Sequence, residues 1–435
     1  MLKDSQGAMV LIKDATSLSP FVAGLEYGAP ARGTWNIVHV GMLIPESHQI
    51  FVCAQGCLRG VVLTAAEMDA LDRFSTIAVL EDNVLGGDME DLIIDGVTDI
   101  LGKIKNKPRA VLVYTSCVHH FIACDLDLVY RTLRQKFPDI DFTDCYMIPI
   151  MRKSGLTPDQ IMRRQLYSLW RPLPLKKTCL NIIGNNISTD VSSELVRMIE
   201  DNGLELRDIT LCQNYDQYLA MAESFINISY LPVAKAGGEE LQKRLGQQHL
   251  YLPLCYGYEE IEKNLYLLAQ TLAVPMPDTE VLKQAAERKL AEAKAVIGDM
   301  PIAIDYTATP RPLGLAKLLL QHGFNVQSIY ADDFTQEEEN DFIWLKEQSP
   351  ELKIFATVNA KMRFMASQAE GEFLAIGQKA AYFTGTNYFV NIVEGGGMYG
   401  FDGICRLCDL LIDAQKEAKN ARELIQIKGL GCCCV

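Results

Sequence analysis

Two segments decide the fold: Phe51-Val-Cys53-Ala-Gln-Gly-Cys57-Leu-Arg-Gly60 and Tyr114-Thr-Ser-Cys117-Val-His119-His120-Phe-Ile-Ala-Cys124-Asp125. Each includes or follows a short apolar run typical of a β-strand. Open α/β folds place their ligand sites on loops that follow strands. The two loops are therefore predicted to bring three or four thiolates together at one sheet edge, as an iron–sulfur cluster requires. The candidate metal ligands are Cys53, Cys57, Cys117 and Cys124.

The spacing of these cysteines does not by itself decide their role. Three residues separate Cys53 from Cys57 and six separate Cys117 from Cys124, and neither matches the compact C-x₂-C-x₂-C run of ferredoxins. The alternative is that some are core thiols, because free cysteine is among the most buried residue types.

Two adjacent histidines follow Cys117. His119 and His120 are candidate metal ligands, proton donors to a bound substrate, or simply polar loop residues. The ordinary pKa of imidazole lies near neutrality, which suits proton donation.

Composition narrows the class of protein. The 435 residues include 49% hydrophobic and 22% charged side chains, with a net charge of −14. No Lys/Arg block occurs, which argues against a nucleic-acid partner. The sequence shows neither a signal-peptide pattern nor a membrane-spanning apolar run, so we expect a cytoplasmic protein with no membrane partner. In that compartment 13 cysteines indicate metal-binding or redox-active thiols rather than disulfides.

Strand-like and helix-like segments alternate three times along the chain. This pattern predicts an α/β fold of three Rossmann-like doubly wound domains with mainly parallel sheets. The predicted divisions are a cluster-binding domain, a middle domain, a third domain and a Cys-rich tail: 1–170, 178–275, 298–419 and 420–435. The role of Cys432, Cys433 and Cys434 in that tail stays open between a prenylation box, a metal-carrying segment and an unstructured end.

A glycine-rich turn follows the last predicted strand. The run Gly395-Gly396-Gly397-Met398-Tyr399-Gly400 has the letters G-x-G-x-x-G, but no later strand offers an acidic residue for a ribose. NAD binding is therefore rejected, and Gly395, Gly396, Gly397 and Tyr399 are proposed to form a pocket loop near an anionic ligand. No P-loop motif occurs, so any ATP hydrolysis must take place on another protein.

The order of these motifs resembles the nitrogenase component 1 family. Gln55-Gly56-Cys57, Gly86-Gly87-Asp88, Ser116-Cys117 and Tyr399-Gly-Phe-Asp-Gly403 stand where that family has its characteristic residues. The family includes nitrogenase catalytic subunits, their cofactor-assembly scaffold, dark-operative protochlorophyllide and chlorophyllide reductases, and a nickel-porphinoid reductive cyclase. The resemblance covers nearly the whole chain.

The resemblance implies a two-component reductase. An ATP-hydrolysing iron protein would deliver electrons to a 4Fe-4S or larger cluster held by Cys53, Cys57 and Cys117, with Cys124 or a partner residue as fourth ligand. The chain would form a homodimer, or a heterodimer with a related subunit. Substrate would occupy a cleft between the three domains, near the glycine-rich turn.

Several departures from the family pattern bear on the substrate. Thr34 follows Arg32-Gly33 where the family often has a cluster cysteine, and Cys53 is the candidate substitute. The segments 226–230 and 389–399 lack the Cys and His that hold the nitrogenase cofactor. This argues against dinitrogen as substrate. The alternative function is a scaffold or carrier on which a metal cluster is built without turnover.

Overall fold

The computed structural model describes residues 7–29, 31, 37–148, 155–364 and 372–425. Thr34 and the tail cysteines Cys432, Cys433 and Cys434 lie outside these residues. The described residues form an α/β fold with mainly parallel sheets, which confirms the predicted fold class.

Strands and helices alternate through the chain. The described strands are β1 (Met9–Leu11), β2 (Ser47–Ala54), β3 (Phe74–Val79), β4 (Ala110–Ser116), β5 (Asp141–Met147), β6 (Lys176–Ile182), β7 (Glu205–Asp208), β8 (Ser224–Ser229), β9 (Gln248–Tyr251), β10 (Pro301–Asp305), β11 (Asn325–Tyr330), β12 (Lys353–Phe355), β13 (Leu374–Ile376) and β14 (Phe389–Val390).

The helices cover the faces of the sheets. In the described ranges they are α1 (Ile37–Gly41), α2 (Gln55–Glu67), α3 (Glu81–Gly86), α4 (Met89–Lys103), α5 (Cys117–Phe121), α6 (Leu126–Lys136), α7 (Pro158–Gln165), α8 (Glu194–Glu200), α9 (Tyr215–Ala220), α10 (Lys235–Leu245), α11 (Tyr258–Leu272), α12 (Thr279–Ile297), α13 (Pro312–Gln321), α14 (Glu339–Gln348), α15 (Gln378–Thr384), α16 (Gly400–Lys416) and α17 (Ala421–Ile425).

The chain divides into two compact units. The double-sheet unit comprises Thr34–Ser188 and Leu204–Tyr251, and the single-sheet unit comprises Met1–Gly33, Thr189–Gly203 and Leu252–Val435. The predicted division into domains at 1–170, 178–275 and 298–419 stays a prediction.

The double-sheet unit contains two parallel four-stranded sheets. Their strand orders are β3-β2-β4-β5 and β7-β6-β8-β9. In the first sheet, side chains of β2 alternate between two apolar cores, with Phe51 and Cys53 on one face and Ile50 and Val52 on the other. Because helices cover both faces of this sheet, the side chains on both faces of β2 are apolar, as expected of a parallel sheet.

The single-sheet unit contains one six-stranded sheet with the order β1-β12-β11-β10-β13-β14. Its strands are parallel except β1, which pairs antiparallel with β12 at the edge. The N-terminal strand β1 therefore completes the sheet that is otherwise built from residues after 300.

Candidate functional site

The first sheet has a topological switch point between β2 and β4. From β2 the chain crosses to β3 on one side, and it then returns to place β4 on the other side. Crossovers leave in opposite directions at such a point, so a crevice opens outside the carboxyl ends of the two strands. Val52 pairs with Thr115 near these ends, and the cysteine loops follow directly. The predicted cluster ligands thus flank the position where open α/β sheets bind ligands.

Cys53 lies at the end of β2 with no solvent exposure. Its thiol packs in the core that contains Phe51 and Tyr114. Burial, together with the charges of Cys57 and Cys117, raises its pKa to about 12. The three thiols are therefore within electrostatic range of one another.

Cys57 and Cys117 are accessible where Cys53 is not. Cys57 is exposed in the first turn of α2, and Cys117 is a half-buried residue that begins α5. Of the three thiols Cys53, Cys57 and Cys117, the last two are therefore the ones open to solvent.

Cys124 lies on the other side of the sheet. It packs against the core that contains Val52 and Val113. Burial, together with a hydrogen bond to Glu90, raises its pKa to about 12. The carboxylate of Glu90 also accepts the Asp125 backbone N–H at 2.6 Å. Cys124 is thus paired with Glu90, and the structure does not bring it to the other three thiols.

The two histidines differ in exposure. His119 is 1% exposed, and its Nδ1 accepts the Ser116 backbone N–H at 3.2 Å. Its Nε2 has no hydrogen-bond partner among the described residues. Burial lowers the pKa of His119. His120 is exposed on the same short helix.

The thiols present are a partial ligand set. In the ranges that the structure describes, no group of three or more His, Cys, Asp or Glu side chains is positioned to hold a metal ion. The chemistry of the donors fits an iron–sulfur centre, because soft thiolates select such clusters. A cluster bound to the accessible thiols of Cys57 and Cys117 and the buried thiol of Cys53 would need its remaining ligands from other residues.

The glycine-rich turn after β14 has a left-handed backbone that glycine adopts readily. Gly395, Gly396 and Gly397 all have positive φ, between 61° and 80°. The amides of Glu394 and Gly395 donate to the carbonyls of Thr307 and Ala308 at 2.7 Å. These bonds tie the turn to the end of β10, so those two amides are engaged within the chain. The predicted pocket residue Tyr399 is buried, and its hydroxyl donates to the Leu252 carbonyl at 3.3 Å.

Sequence reasoning missed a polar cluster at the switch point of the third sheet, between β10 and β13. Asp305 ends β10 with no exposure, and its carboxylate accepts the backbone N–H groups of Thr307 and Ala380 at 2.7 Å. Lys379 is buried nearby, where burial lowers its pKa and the charges of Asp305 and Asp332 oppose that shift. Two sequence patterns could have indicated this cluster. They are the Asp at the end of one strand and the Gly-Gln-Lys run after another strand.

Two solved structures share this architecture. One, described as "Nitrogenase Cp1 at pH 6.5", has a TM-score of 0.67 at 12% identity and covers 93% of this chain and 96% of its own. Another, "Nitrogenase Cp1 at pH 5", has a TM-score of 0.61 at 15% identity, covering 95% and 94% respectively. A comparison with curated proteins gave no match. At these identities the likeness establishes the fold.

The sequence establishes the family. Residues 38–413 match the family described as Nitrogenase component 1 type Oxidoreductase, and the chain belongs to that family. It is thus an oxidoreductase of nitrogenase-like type, from a family whose members bind metal–sulfur clusters and work with an iron protein. Within the described residues, no helix is long and apolar enough to cross a membrane.

Proposed function

We propose that this chain is the catalytic component of a nitrogenase-like two-component reductase whose substrate is not dinitrogen. An ATP-hydrolysing iron protein supplies the electrons, and an iron–sulfur cluster relays them. The proposal is supported by the positions of Cys53, Cys57 and Cys117 at or just after the carboxyl ends of β2 and β4, where the charges of Cys57 and Cys117 act on the Cys53 thiol.

Cys57 and Cys117 are the principal ligands in this proposal. Both lie in the first turn of a helix that directly follows a strand of the first sheet. Cys53 is the third ligand and requires loss of a proton from a thiol whose pKa burial raises to about 12. The metal would have to supply the free energy for that deprotonation. Cys124 is a poor fourth ligand because it is paired with Glu90 on the opposite face.

The remaining ligands are proposed to come from a second component 1 subunit, identical or related. Large apolar side chains are exposed on two helices that follow strands of this sheet: Leu85 in α3, after β3, is 85% exposed, and Phe121 in α5, after β4, is 70% exposed. Exposed apolar groups around a functional edge are typical of an interaction surface. A subunit docked there would bury these side chains and exclude water from the thiols, which favours a low-potential relay.

In the double-sheet unit, His119 and His120 are proposed proton donors. In the single-sheet unit, Lys379 is proposed to bind an anionic group, because the charges of Asp305 and Asp332 favour its ammonium form. Gly395, Gly396, Gly397 and Tyr399 of that unit stay proposed as a pocket loop.

A serine series tests the ligand assignment. Cys57→Ser and Cys117→Ser should each abolish the visible absorption of the anaerobically purified protein. Cys124→Ser should retain it, and so should the control Cys405→Ser in α16 of the other unit. Full iron content in both Cys57→Ser and Cys117→Ser would overturn the assignment.

The second candidate function is a scaffold that builds a cluster and passes it on. It is favoured by the absence of cysteine from 226–230 and of histidine from 389–399, the segments expected to hold the active-site cofactor. Mixing the loaded protein with an acceptor apoprotein separates the two functions. Transfer of iron to the acceptor supports the scaffold. Retention of iron, together with ATP-dependent oxidation of the iron protein that donates the electrons, supports the reductase.

A further inference from the structure

The segments that follow β3 and β4 form one continuous surface of the double-sheet unit. Both strands pair in parallel with β2, so the chain leaves them at the same edge of the sheet. The Asp125 backbone N–H donates to Glu90 Oε1 at 2.6 Å, which joins the two segments directly. The surface formed by residues 79–91 and 117–128 is called the docking edge below.

Large apolar side chains are exposed on the docking edge. Their exposed fractions lie between 38% and 85%, and they are Leu80, Leu85, Phe121, Ile122 and Leu128. The half-buried Cys117 begins α5 within the same surface. Exposed apolar side chains concentrated at one edge indicate an interaction surface. A partner that covers them would also shield the Cys117 thiol from water.

The charged side chains around this apolar surface are almost all acidic. Residues 79–91 and 117–128 contain no Lys or Arg and seven carboxylates, which are Glu81, Asp82, Asp88, Glu90, Asp91, Asp125 and Asp127. All of these except Glu90 are exposed. The first turns of α2, which follow β2 at the same edge, add one cation, Arg59. With His neutral, these described residues carry one minus seven, or −6.

This charge disfavours a second identical copy as the partner. In a closed homodimer both subunits contribute the same surface patch. Two docking edges would therefore bring twice −6, or −12, into one interface. Like charges that face each other across an interface suppress association, whereas opposite charges favour it. A related subunit can keep the fold and the apolar surface while it carries Lys or Arg at the facing positions.

We propose that the docking edge binds a related but non-identical component 1 subunit whose contact surface is apolar at its centre and basic around it. The inference rests on the proposed docking of a second subunit at this edge, and it assigns that subunit to a heterodimer. Burial of the apolar side chains supplies most of the binding free energy. The carboxylates select the partner by pairing with its ammonium and guanidinium groups.

A charge-swapped copy of this chain can stand in for the related subunit. Replacement of four exposed acids by lysine changes the charge of the edge by four times +2, from −6 to +2; the variant is Glu81→Lys/Asp82→Lys/Asp91→Lys/Asp127→Lys. Sedimentation velocity of the full-length wild type, the variant and their equimolar mixture measures association. At about 50 mM NaCl the mixture should have a dimer dissociation constant about tenfold or more below that of the wild type alone, and about 500 mM NaCl should reduce this difference.

Two further variants localise the contact. The control for net charge carries four lysines at exposed acids of the single-sheet unit, as Glu259→Lys/Glu347→Lys/Glu417→Lys/Glu423→Lys. Mixed with the wild type, it should associate no more tightly than the wild type does alone. Phe121→Asp in the wild-type partner should abolish association with the charge-swapped variant, because it places a carboxylate within the apolar surface. Circular dichroism and melting temperature establish that each variant is folded.

Three results would each overturn the proposal. A wild-type homodimer at low salt that Phe121→Asp dissociates would mean that identical copies pair at the docking edge. A mixture that associates no better than the wild type alone would mean that charge does not select the partner. Equal association with the single-sheet control would mean that net charge alone drives the contact. None of these measurements requires bound iron, so each result is independent of the cluster assignment.

Discussion

Gly400 gives the sharpest stability prediction, because a substituted side chain there would collide with a buried carboxyl group. Gly400 begins α16 with φ of 72°. An added Cβ would overlap Glu194 Oε2 and lie 3.2 Å from its Cδ. Glu194 is itself buried, and its Oε1 accepts the Asp402 backbone N–H at 2.9 Å. The carboxyl group therefore cannot move without loss of that hydrogen bond.

The cost of Gly400→Ala can be estimated in two parts. The left-handed backbone costs a residue with a side chain about 1–2 kcal/mol. Overpacking against Glu194 adds about 1–3 kcal/mol. We therefore expect Gly400→Ala to lower the free energy of unfolding by about 2–5 kcal/mol.

Gly203→Ala is the matched control. Gly203 belongs to the same unit and has φ of 73°, but an added Cβ would meet no atom within 4 Å. This variant should lose only the backbone part, about 1–2 kcal/mol. Urea titrations of both variants, compared by transition midpoint and slope, measure the difference. Equal destabilisation of the two variants would refute the proposed contact between Gly400 and Glu194.

Three further predictions concern Glu194, Phe51 and Thr157. Burial raises the pKa of Glu194 to about 7, so the folded state binds this proton more tightly than the unfolded state does. The free energy of unfolding should therefore fall by about 3 kcal/mol as pH rises from about 4.5 through 7. Glu194→Gln should flatten this part of the pH profile in urea titrations. Phe51→Ala should cost about 3–5 kcal/mol, since the buried ring stacks on Tyr114 with centroids 3.9 Å apart, and thermal unfolding would measure this. Thr157→Ala should cost about 1 kcal/mol in a urea titration, because the Thr157 hydroxyl caps the Gln160 N–H at 3.2 Å; an unchanged midpoint would exclude that cap.

Local signals predicted much of the fold. The apolar run before Cys117 is β4, and the Thr-x-x-Gln pattern of Thr157 and Gln160 forms a capping box at the start of α7. Asp88 stands at the N-cap of α4, but its side chain accepts from Asn83 Nδ2 at 3.3 Å instead of capping the helix. These features depend on neighbours within a few residues, which is why the sequence alone indicates them.

The placement of side chains around the site depended on tertiary structure. Spacing could not show that Cys124 lies on the opposite face from Cys53, because the turn of α5 and a left-handed backbone at Ala123 direct the chain there. The pairing of β1 with β12 joins residues more than 300 positions apart, and the Asp305–Lys379 cluster likewise combines distant segments. Contacts of such separation leave no periodic pattern in the sequence.

Iron and acid-labile sulfide analysis of the anaerobically purified protein tests the central claim most directly. The wild-type chain should carry both elements in stoichiometric amounts, and the double variant Cys57→Ser/Cys117→Ser should carry neither while it retains the wild-type circular dichroism spectrum. A colourless wild-type protein without iron, or a double variant that keeps its iron and sulfide, would contradict a cluster at the β2/β4 switch point.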